Sequence, residues 1–139
     1  DVSDALLAFG ASAIGEFPQG FVRSARATLE WSQRIDRNES PVKRGLATTP
    51  EDRMRSEVIE RLMCDLSVDA AAIAERHGFD ASVFADVEEK LVPAVAAGIA
   101  EVSGSRISVP PKHRLFLRTV AAAFDTHFVS APNRHAKAV

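Results

Sequence analysis

The side chains that most often do chemistry are few and scattered in this sequence. Its only cysteine, Cys64, and its four histidines never stand three or four residues apart; the histidines are His77, His113, His127 and His135. Because metal ligands close in sequence usually have that spacing, no local metal site is predicted. Cys64 lies on the flank of a predicted helix with no histidine beside it, which favours a buried, unreactive thiol. No P-loop, G-x-G-x-x-G or G-x-S-x-G motif occurs, and we predict no catalytic residue within the chain itself.

A basic stretch runs from Arg23 to Arg44. It sets six cationic residues against three acids, the cations being Arg23, Arg26, Arg34, Arg37, Lys43 and Arg44. Guanidinium groups bind carboxylates through paired hydrogen bonds, so the stretch is compatible with an anion site. An ordinary solvated face is the commoner explanation of such a stretch, and the anion site is the alternative that the sequence leaves open.

Three small residues, Gly10, Ala11 and Ser12, form the other candidate. They carry little side-chain bulk and would let a ligand or another backbone come close. They lie in an apolar run, Ala5–Ile14, that is too continuous for a half-exposed strand. The run predicts a buried strand leading into a tight loop. No second strong strand is predicted nearby, which favours a piece cut from a larger sheet.

The element that positions most of the chain is a helix over Thr49–Leu66. Thr49 is a suitable N-cap, and Pro50 fits the first helical position. Its apolar residues recur at three-to-four spacing: Met54, Val58, Ile59, Leu62, Met63 and Leu66. On the polar face, Glu51 with Arg55 and Glu57 with Arg61 predict ion pairs four residues apart.

Shorter elements are predicted on either side of this helix. Before it, Ser24 is expected to cap a helix over Ala25–Arg37, with Leu29 and Ile35 inward. After it, Ser67 is expected to cap a second helix that stops at Gly78, and Asp80 or Ser82 a third that Pro93 should kink or break. A hairpin turns at Ser103–Ser105, and a closing helix buries Leu117, Val120, Ala121, Phe124 and Phe128.

These elements predict a mainly α fold. The part from 49 to 129 is expected to be a winged-helix-like helical domain with a small β hairpin. It is preceded by a strand and loop, and followed by a loose tail over 130–139. A length of 139 residues suits about one domain.

Charge argues against nucleic acid as a partner. The net charge is −2, and the predicted third helix has Asp80, Asp86, Glu88 and Glu89 against Lys90. A winged helix that binds DNA needs the opposite sign on that helix. We also predict no membrane partner, because no apolar run approaches the ~20 residues of a membrane span.

The ends and the cysteine count add two expectations. The chain begins D-V-S-D, without methionine and without a visible signal peptide, which predicts a piece of a longer protein. A lone cysteine fits a reducing compartment, and we predict the cytoplasm.

Five motifs, in one order and spacing, carry a family resemblance. They are F-G-A-S-A-I-G (Phe9–Gly15), P-Q-G-F-V (Pro18–Val22), P-V-K-R-G-L (Pro41–Leu46), E-D-R-M-R-S-E-V-I-E-R-L-M-C-D (Glu51–Asp65) and R-T-V-A-A-A-F-D-T-H-F (Arg118–Phe128). Together they resemble the C-terminal part of the oxygen-independent coproporphyrinogen III oxidases. Phe21-Val22-Arg23-Ser24 stands where that family usually has Tyr-x-Gln-Asn, which predicts a divergent member.

The resemblance implies a radical S-adenosylmethionine (SAM) enzyme of haem biosynthesis. Such an enzyme oxidatively decarboxylates two propionates of coproporphyrinogen III to give protoporphyrinogen IX. The [4Fe–4S] cluster and SAM would be held by a barrel that precedes this chain, and the chain alone would be inactive. Residues 1–22 would be the last strand and loop of the truncated barrel, residues 23–48 a connecting helix and extended segment, and residues 49–129 the helical domain.

Site roles follow from the same resemblance. Gly10, Ala11 and Ser12 would lie against a second SAM, Ala11 mainly through its backbone. Arg23 and Arg44 would lie near the barrel mouth, where they could meet the propionates of the porphyrinogen substrate. No metal site is implied within the chain, and no cofactor would be bound by this part alone.

Three interpretations stay open at the level of sequence. The first is the oxidase, with a parent expected to be monomeric and a piece that could self-associate through exposed core surface. The second is the haem-chaperone branch of the same superfamily. The third is a winged-helix protein-interaction module without catalysis.

Overall fold

A computed structural model of the protein describes residues 5–128. Its contacts divide the chain into two compact units, Asp1–Thr49 and Pro50–Val139.

The first unit is built on a three-stranded antiparallel sheet. The strands are β1 (Ile14–Phe17), β2 (Gly20–Ser24) and β3 (Val42–Ala47), in the order β1-β2-β3. The predicted turn at Phe17–Gly20 closes the β1–β2 hairpin, where Phe17 pairs with Gly20. At the same point β3 runs so close that a Cβ on Gly20 would lie 2.0 Å from the carbonyl oxygen of Leu46.

The strand predicted over Ala5–Ile14 does not form. Only Leu6 makes an isolated bridge, to Glu16, and β1 begins at Ile14. Leu7 and Phe9 are exposed rather than buried, and the side chain of Phe9 is 90% accessible. The expectation that no second strand lies nearby is also wrong. β3 was missed because its sequence, V-K-R-G-L-A, lacks the alternation of a half-buried strand.

The first helix is shorter than predicted. α1 covers Thr28–Asp36, and its N-cap Ala27 makes no side-chain hydrogen bond. Ser24, the predicted cap, is the last residue of β2 and is buried. Leu29 and Ile35, predicted to point inward, are both exposed, and no residue of α1 is buried. Its position between β2 and β3 therefore owes little to apolar packing within the described residues.

The second unit has the element order of a winged helix. Its elements are α2 (Pro50–Asp65), β4 (Ser67–Asp69), α3 (Ala70–Arg76), α4 (Ala85–Ala96), β5 (Glu101–Ser103), β6 (Arg106–Ser108) and α5 (Leu117–Ala121). The sheet order is β4-β6-β5, so the strand after the first helix pairs with the second strand of the hairpin. The predicted class, mainly α with a small hairpin, is confirmed.

The core of this unit is organised by α2, as its apolar periodicity predicts. Met54, Val58 and Leu62 are fully buried, and Ile59, Met63 and Leu66 pack partly against the same cluster. The closing segment contributes the predicted Leu117, Val120, Ala121 and Phe124, all buried. The ring of Phe124 meets that of Phe84 edge-on, with centroids 5.6 Å apart.

Four local predictions in this unit are wrong. Ser67 lies in β4, and Asp69 caps α3 instead, accepting a hydrogen bond from the Ala72 amide. Pro93 does not break α4, which continues past it to Ala96. Phe128 and Cys64 are exposed rather than buried. The hairpin and the stop after α3 agree with prediction, and the predicted tail over 130–139 lies outside the described residues.

No helix within residues 5–128 combines the length and the apolar character needed to cross a membrane.

Candidate functional site

The three small residues predicted to approach a ligand form a tight turn just before β1. Gly10 and Ser12 both have left-handed backbone conformations, with φ of 108° and 60°. The Ser12 amide donates to the carbonyl of Ala25 at 2.8 Å, and the Ser24 amide donates to the carbonyl of Ala13 at 3.0 Å. These two bonds fasten the turn to the end of β2. Among residues 5–128, nothing lies within 4 Å of a Cβ placed on Gly10, so that side of the turn is open within the described part of the chain.

The two predicted arginines meet at the same end of the sheet. Arg23 of β2 lies directly opposite Ile14 on one side and Arg44 on the other. Residues directly opposite each other in an antiparallel pair project to the same face. The turn at Gly10–Ser12, Arg23 and Arg44 are thus brought together within the first unit, although the sequence predicted neither β2 nor β3.

A cleft of about 200 Å³ opens beside this arginine pair. It is lined by four cationic residues and one acid, together with Ser24; the charged residues are Arg23, Arg26, Lys43, Arg44 and Glu30. Glu30 accepts a hydrogen bond from Lys43 at 2.6 Å and lies 3.6 Å from Arg34. The Lys43 hydrogen bond is the main reason that the pKa of Glu30 lies below its ordinary value. The one acid of the cleft is therefore committed to Lys43 and Arg34.

The arginine pair also borders an apolar surface. A cleft of about 380 Å³ is lined by Ile14, Phe21, Val22, Arg23, Arg44, Gly45 and Leu46. The side chains of Ile14 and Leu46 are 53% and 52% accessible, high for large apolar residues. This end of the sheet, which we call the arginine face (Ile14, Phe21, Arg23, Arg44 and Leu46), combines cationic and apolar contacts.

The second unit holds a buried arginine that the sequence predicted only as a surface ion pair. Arg55 bonds Glu51 at 2.7 Å, as expected, but its side chain is only 6% accessible. It also donates to the carbonyl of Val83 at 2.7 Å and lies 3.4 Å from Asp86. Burial raises the pKa of Asp86, but the hydrogen bond from Lys90 and the charge of Arg55 outweigh it and leave that pKa lowered.

The guanidinium of Arg55 also lies 5.4 Å from the centre of the Phe84 ring. These contacts join α2 to the segment that begins α4. No sequence signal marks this role, because the partners other than Glu51 lie far along the chain, at Val83, Asp86 and Phe124.

Glu57 pairs with α3 rather than with Arg61, the partner that the helix spacing predicted. Its carboxylate lies 2.6 Å from Arg76 and 2.7 Å from His77. Arg61 lies near Asp65 instead, at 3.9 Å. The hydrogen bond from His77 is the main reason that the pKa of Glu57 is lowered.

The other described histidines have local partners too. His127 lies 3.0 Å from Asp52, and the ring of His113 is next to Phe116. Among residues 5–128, no group of three His, Cys, Asp or Glu side chains could hold a metal ion.

A larger cavity, about 880 Å³, lies between α4 and the hairpin of the second unit. Most of its lining is apolar, with Phe84, Leu91, Val95 and Ile107 among the contributors and Glu88 as its acid. It contains none of the residues predicted to bind a ligand. Its size alone does not indicate chemistry, since no cluster of reactive side chains faces it.

Comparison with known proteins supplies the class. Residues 48–116 match the family model of the HemN C-terminal domain. Coproporphyrinogen III oxidase (HemN) from Escherichia coli, a radical SAM enzyme, superposes with a TM-score of 0.78 at 28% identity, over 89% of this chain and 29% of that one. Residues 48–116 therefore belong to the HemN C-terminal domain family.

Curated relatives make the membership more specific. The oxygen-independent coproporphyrinogen III oxidase of Bradyrhizobium diazoefficiens is 36% identical over 100% of this chain and 31% of its own length. That of Paracoccus denitrificans is 34% identical over 98% of this chain and 30% of its own length. The chain thus spans about a third of these relatives, and the predicted resemblance to the C-terminal part of oxygen-independent coproporphyrinogen III oxidases is confirmed.

Proposed function

We propose that this chain is the C-terminal part of a radical SAM enzyme that oxidatively decarboxylates coproporphyrinogen III. The observation that carries the proposal is alignment of the whole chain, both units included, with an oxygen-independent coproporphyrinogen III oxidase at 36% identity. The substrate would lose two propionate carboxyl groups as carbon dioxide, leaving the two vinyl groups of protoporphyrinogen IX. SAM cleavage at an iron–sulfur cluster supplies the radical when those groups are bound.

The cluster ligands would come from the part of the protein outside this chain. Only Cys64 is available as a thiolate ligand, and no suitable group of three metal-ligating side chains occurs among residues 5–128. A [4Fe–4S] cluster requires several cysteine thiolates. The residues of this chain therefore do not fit the cluster, and we assign them binding and covering roles instead.

The turn at Gly10–Ser12 does fit a SAM contact. Its backbone is held in place by the Ser12–Ala25 hydrogen bond, and its outer side is open. Small residues on a fixed turn allow a ligand to contact backbone atoms closely. Ala11 would offer its backbone and a single methyl group to the bound SAM.

We place the enzyme in the cytoplasm and expect the complete protein to be monomeric. The lone cysteine supports a reducing compartment. The first unit exposes eight large apolar side chains: Leu6, Leu7, Phe9, Ile14, Leu29, Ile35, Val42 and Leu46. In the complete protein, the preceding part would cover many of them, whereas the chain by itself would self-associate through them.

The test uses the full-length protein purified without oxygen. Its iron–sulfur absorbance is recorded, and it is then incubated with SAM, a reductant and coproporphyrinogen III. We expect loss of two carboxyl groups per substrate. A cluster without turnover but with tight haem binding would move the protein to the haem-chaperone branch. Absence of any cluster would leave only the interaction module.

A matched pair of variants tests the turn. Ala11→Phe should weaken SAM binding at equilibrium, because a phenyl group would occupy the space that the ligand approaches. Ala47→Phe, at the other end of the same sheet, should leave SAM binding unchanged. Equal effects of the two substitutions would contradict the role of the turn.

A further inference from the structure

The arginine pair is unfavourable for the fold on its own. Arg23 and Arg44 are directly opposite on neighbouring strands. Like charges in that position destabilise a sheet, whereas opposite charges stabilise it. Another residue type at either position would serve the sheet better, so the pair calls for an explanation other than folding.

No acid in the described part of the chain neutralises the pair. Glu30 is held by Lys43 and Arg34. Glu16 shares the face, diagonal to Arg23, but forms no ion pair with it among residues 5–128. Arg26, for which no ion pair occurs among residues 5–128, adds a third positive charge in the same cleft. A half-buried guanidinium beside two further cations favours an anion from outside the chain.

The surroundings of the pair narrow the chemistry of that anion. Ile14, Phe21 and Leu46 lie next to the two guanidinium groups on the arginine face. A small, fully hydrated anion such as phosphate would gain nothing from them. A carboxylate attached to a large apolar ring would satisfy both the cations and the apolar side chains.

We propose that Arg23 and Arg44 clamp carboxylates of a tetrapyrrole on the arginine face, with Arg26 at the edge of the cleft. The identity of the ligand rests on the function proposed above, and the clamp itself rests on the register of β2 and β3. The ring would lie over Ile14, Phe21 and Leu46, and two propionates would each meet one guanidinium. Arg44 and Arg23 would both hold the substrate by carboxylates, and Arg23, which stands where the family usually has glutamine, would be a contact particular to this chain.

The experiment titrates the full-length protein with coproporphyrin III, the air-stable oxidised form of the substrate, and follows its fluorescence. Loss of one charge-assisted clamp should weaken binding by about tenfold for Arg23→Gln and for Arg44→Gln. Arg37→Gln is the matched control, since Arg37 is exposed and lies near Glu39. The control should stay within about twofold of the unmodified protein.

Arg44→Glu separates a ligand-binding role from a structural one. It places opposite charges across the two strands, so the melting temperature without ligand should rise or stay the same while porphyrin binding is lost. Arg44→Lys keeps the charge without the fork and should bind with intermediate affinity. A lower melting temperature of Arg44→Glu, or binding by both glutamine variants within twofold of the unmodified protein, would overturn the proposal. If a glutamine variant does not fold, the lysine and glutamate variants still decide.

Two further arms identify the ligand chemistry. Coproporphyrin tetramethyl ester, compared in the same detergent, should not bind through the clamp, since it has no carboxylate. Inorganic phosphate at millimolar concentration should compete only weakly; equal competition would show a general anion site and overturn the tetrapyrrole assignment. Binding that depends on Arg23 and Arg44 in a protein without cluster or decarboxylation would refute the proposed function and keep the clamp. Decarboxylation by the unmodified protein, with unaltered porphyrin binding in the variants, would refute the clamp and keep the proposed function.

Discussion

The two units of this chain bury apolar side chains to very different extents. Every buried residue of the main core belongs to the second unit, where Met54, Val58, Leu62 and Phe124 are fully enclosed. In the first unit, Ala25 is the one buried apolar residue described, and Phe9 is 90% exposed. The second unit is therefore stabilised by its own apolar core, whereas the first is held together chiefly by hydrogen bonds between its strands. The first unit is also where the predicted site residues meet.

The largest expected difference between the units concerns one chemical change at two phenylalanines. In the 139-residue chain, Phe124→Ala should lower the free energy of unfolding by about 3–5 kcal/mol, because it leaves a cavity in the core. Phe9→Ala should change it by less than about 0.5 kcal/mol, since that ring has little to lose. Urea unfolding followed by circular dichroism measures both. Equal losses in the chain would contradict the comparison, and a large loss for Phe9 only in the full-length protein would show that the preceding part covers it.

Two arginines sharpen the same contrast. Arg55→Ala should destabilise the chain by about 3 kcal/mol, because it removes a buried guanidinium that donates to the carbonyl of Val83 and pairs with Glu51 and Asp86. Arg44→Ala in the first unit should be neutral or slightly stabilising, since it removes a like-charge repulsion. The same urea experiment measures both variants. A destabilising effect of Arg44→Ala similar to that of Arg55→Ala would refute the contrast.

Substitutions at helix caps should change stability less. Removing a cap should destabilise the second unit, and adding one should stabilise the first. Asp69 accepts hydrogen bonds from the Ala72 amide and from the Ser105 hydroxyl, at 3.2 and 2.8 Å. Asp69→Ala should therefore cost about 1 kcal/mol of stability in the second unit. Ala27→Asp should add a cap to α1 in the first unit and slow its amide hydrogen exchange. If Asp69→Ala left amide hydrogen exchange in α3 unchanged, the Asp69 cap would not stabilise that helix.

The smallest expected effect depends on pH. The pKa of Glu57 is lowered in the folded chain from its ordinary value of 4.5, chiefly by the hydrogen bond from His77. A lowered carboxyl pKa stabilises the fold above the unfolded value, and that stability is lost as pH falls through the folded value. Glu57→Gln should thus cost under about 1 kcal/mol at pH 7 and almost nothing near pH 3.

Glu60→Gln is the control for this measurement, because Glu60 lies on the exposed side of the same helix. It should have no effect at either pH. A cost for Glu57→Gln that is the same at pH 3 and pH 7 would show that the ion pairs with Arg76 and His77 do not cause it.

The sequence predicts the second unit well because its signals are local. The three-to-four periodicity of α2, the glycine at the hairpin and the stop at Gly78 each act within a few residues, and the structure agrees with all three. Ser67 was wrongly predicted to be the helix cap, because the local composition fits a cap at Ser67 as well as a short β4 followed by a cap at Asp69. Arg55 could not be foreseen, because its burial depends on Val83, Asp86 and Phe124, which only the folded chain brings near.

The first unit is predicted poorly for the opposite reason. The large apolar residues of this unit do not mark buried positions, since Leu7, Phe9, Leu29 and Ile35 are exposed in this chain. A pattern method treats such residues as core and predicts a buried strand and an inward helix face. The sequence offered Arg23 and Arg44 as candidates by their chemical type, but only the pairing of β2 with β3 shows that they stand side by side. Their roles remain proposals.

Gly20 has a consequence for the fidelity of this pairing. Any side chain there would collide with the Leu46 carbonyl, and the backbone, at φ 147°, is strained for other residue types. An alanine would push β3 away or shift it by one residue, and a one-residue shift turns every side chain of a strand to the other face. The side-by-side placement of Arg23 and Arg44 at one end of the sheet thus depends on the absence of a side chain on Gly20 at the other end.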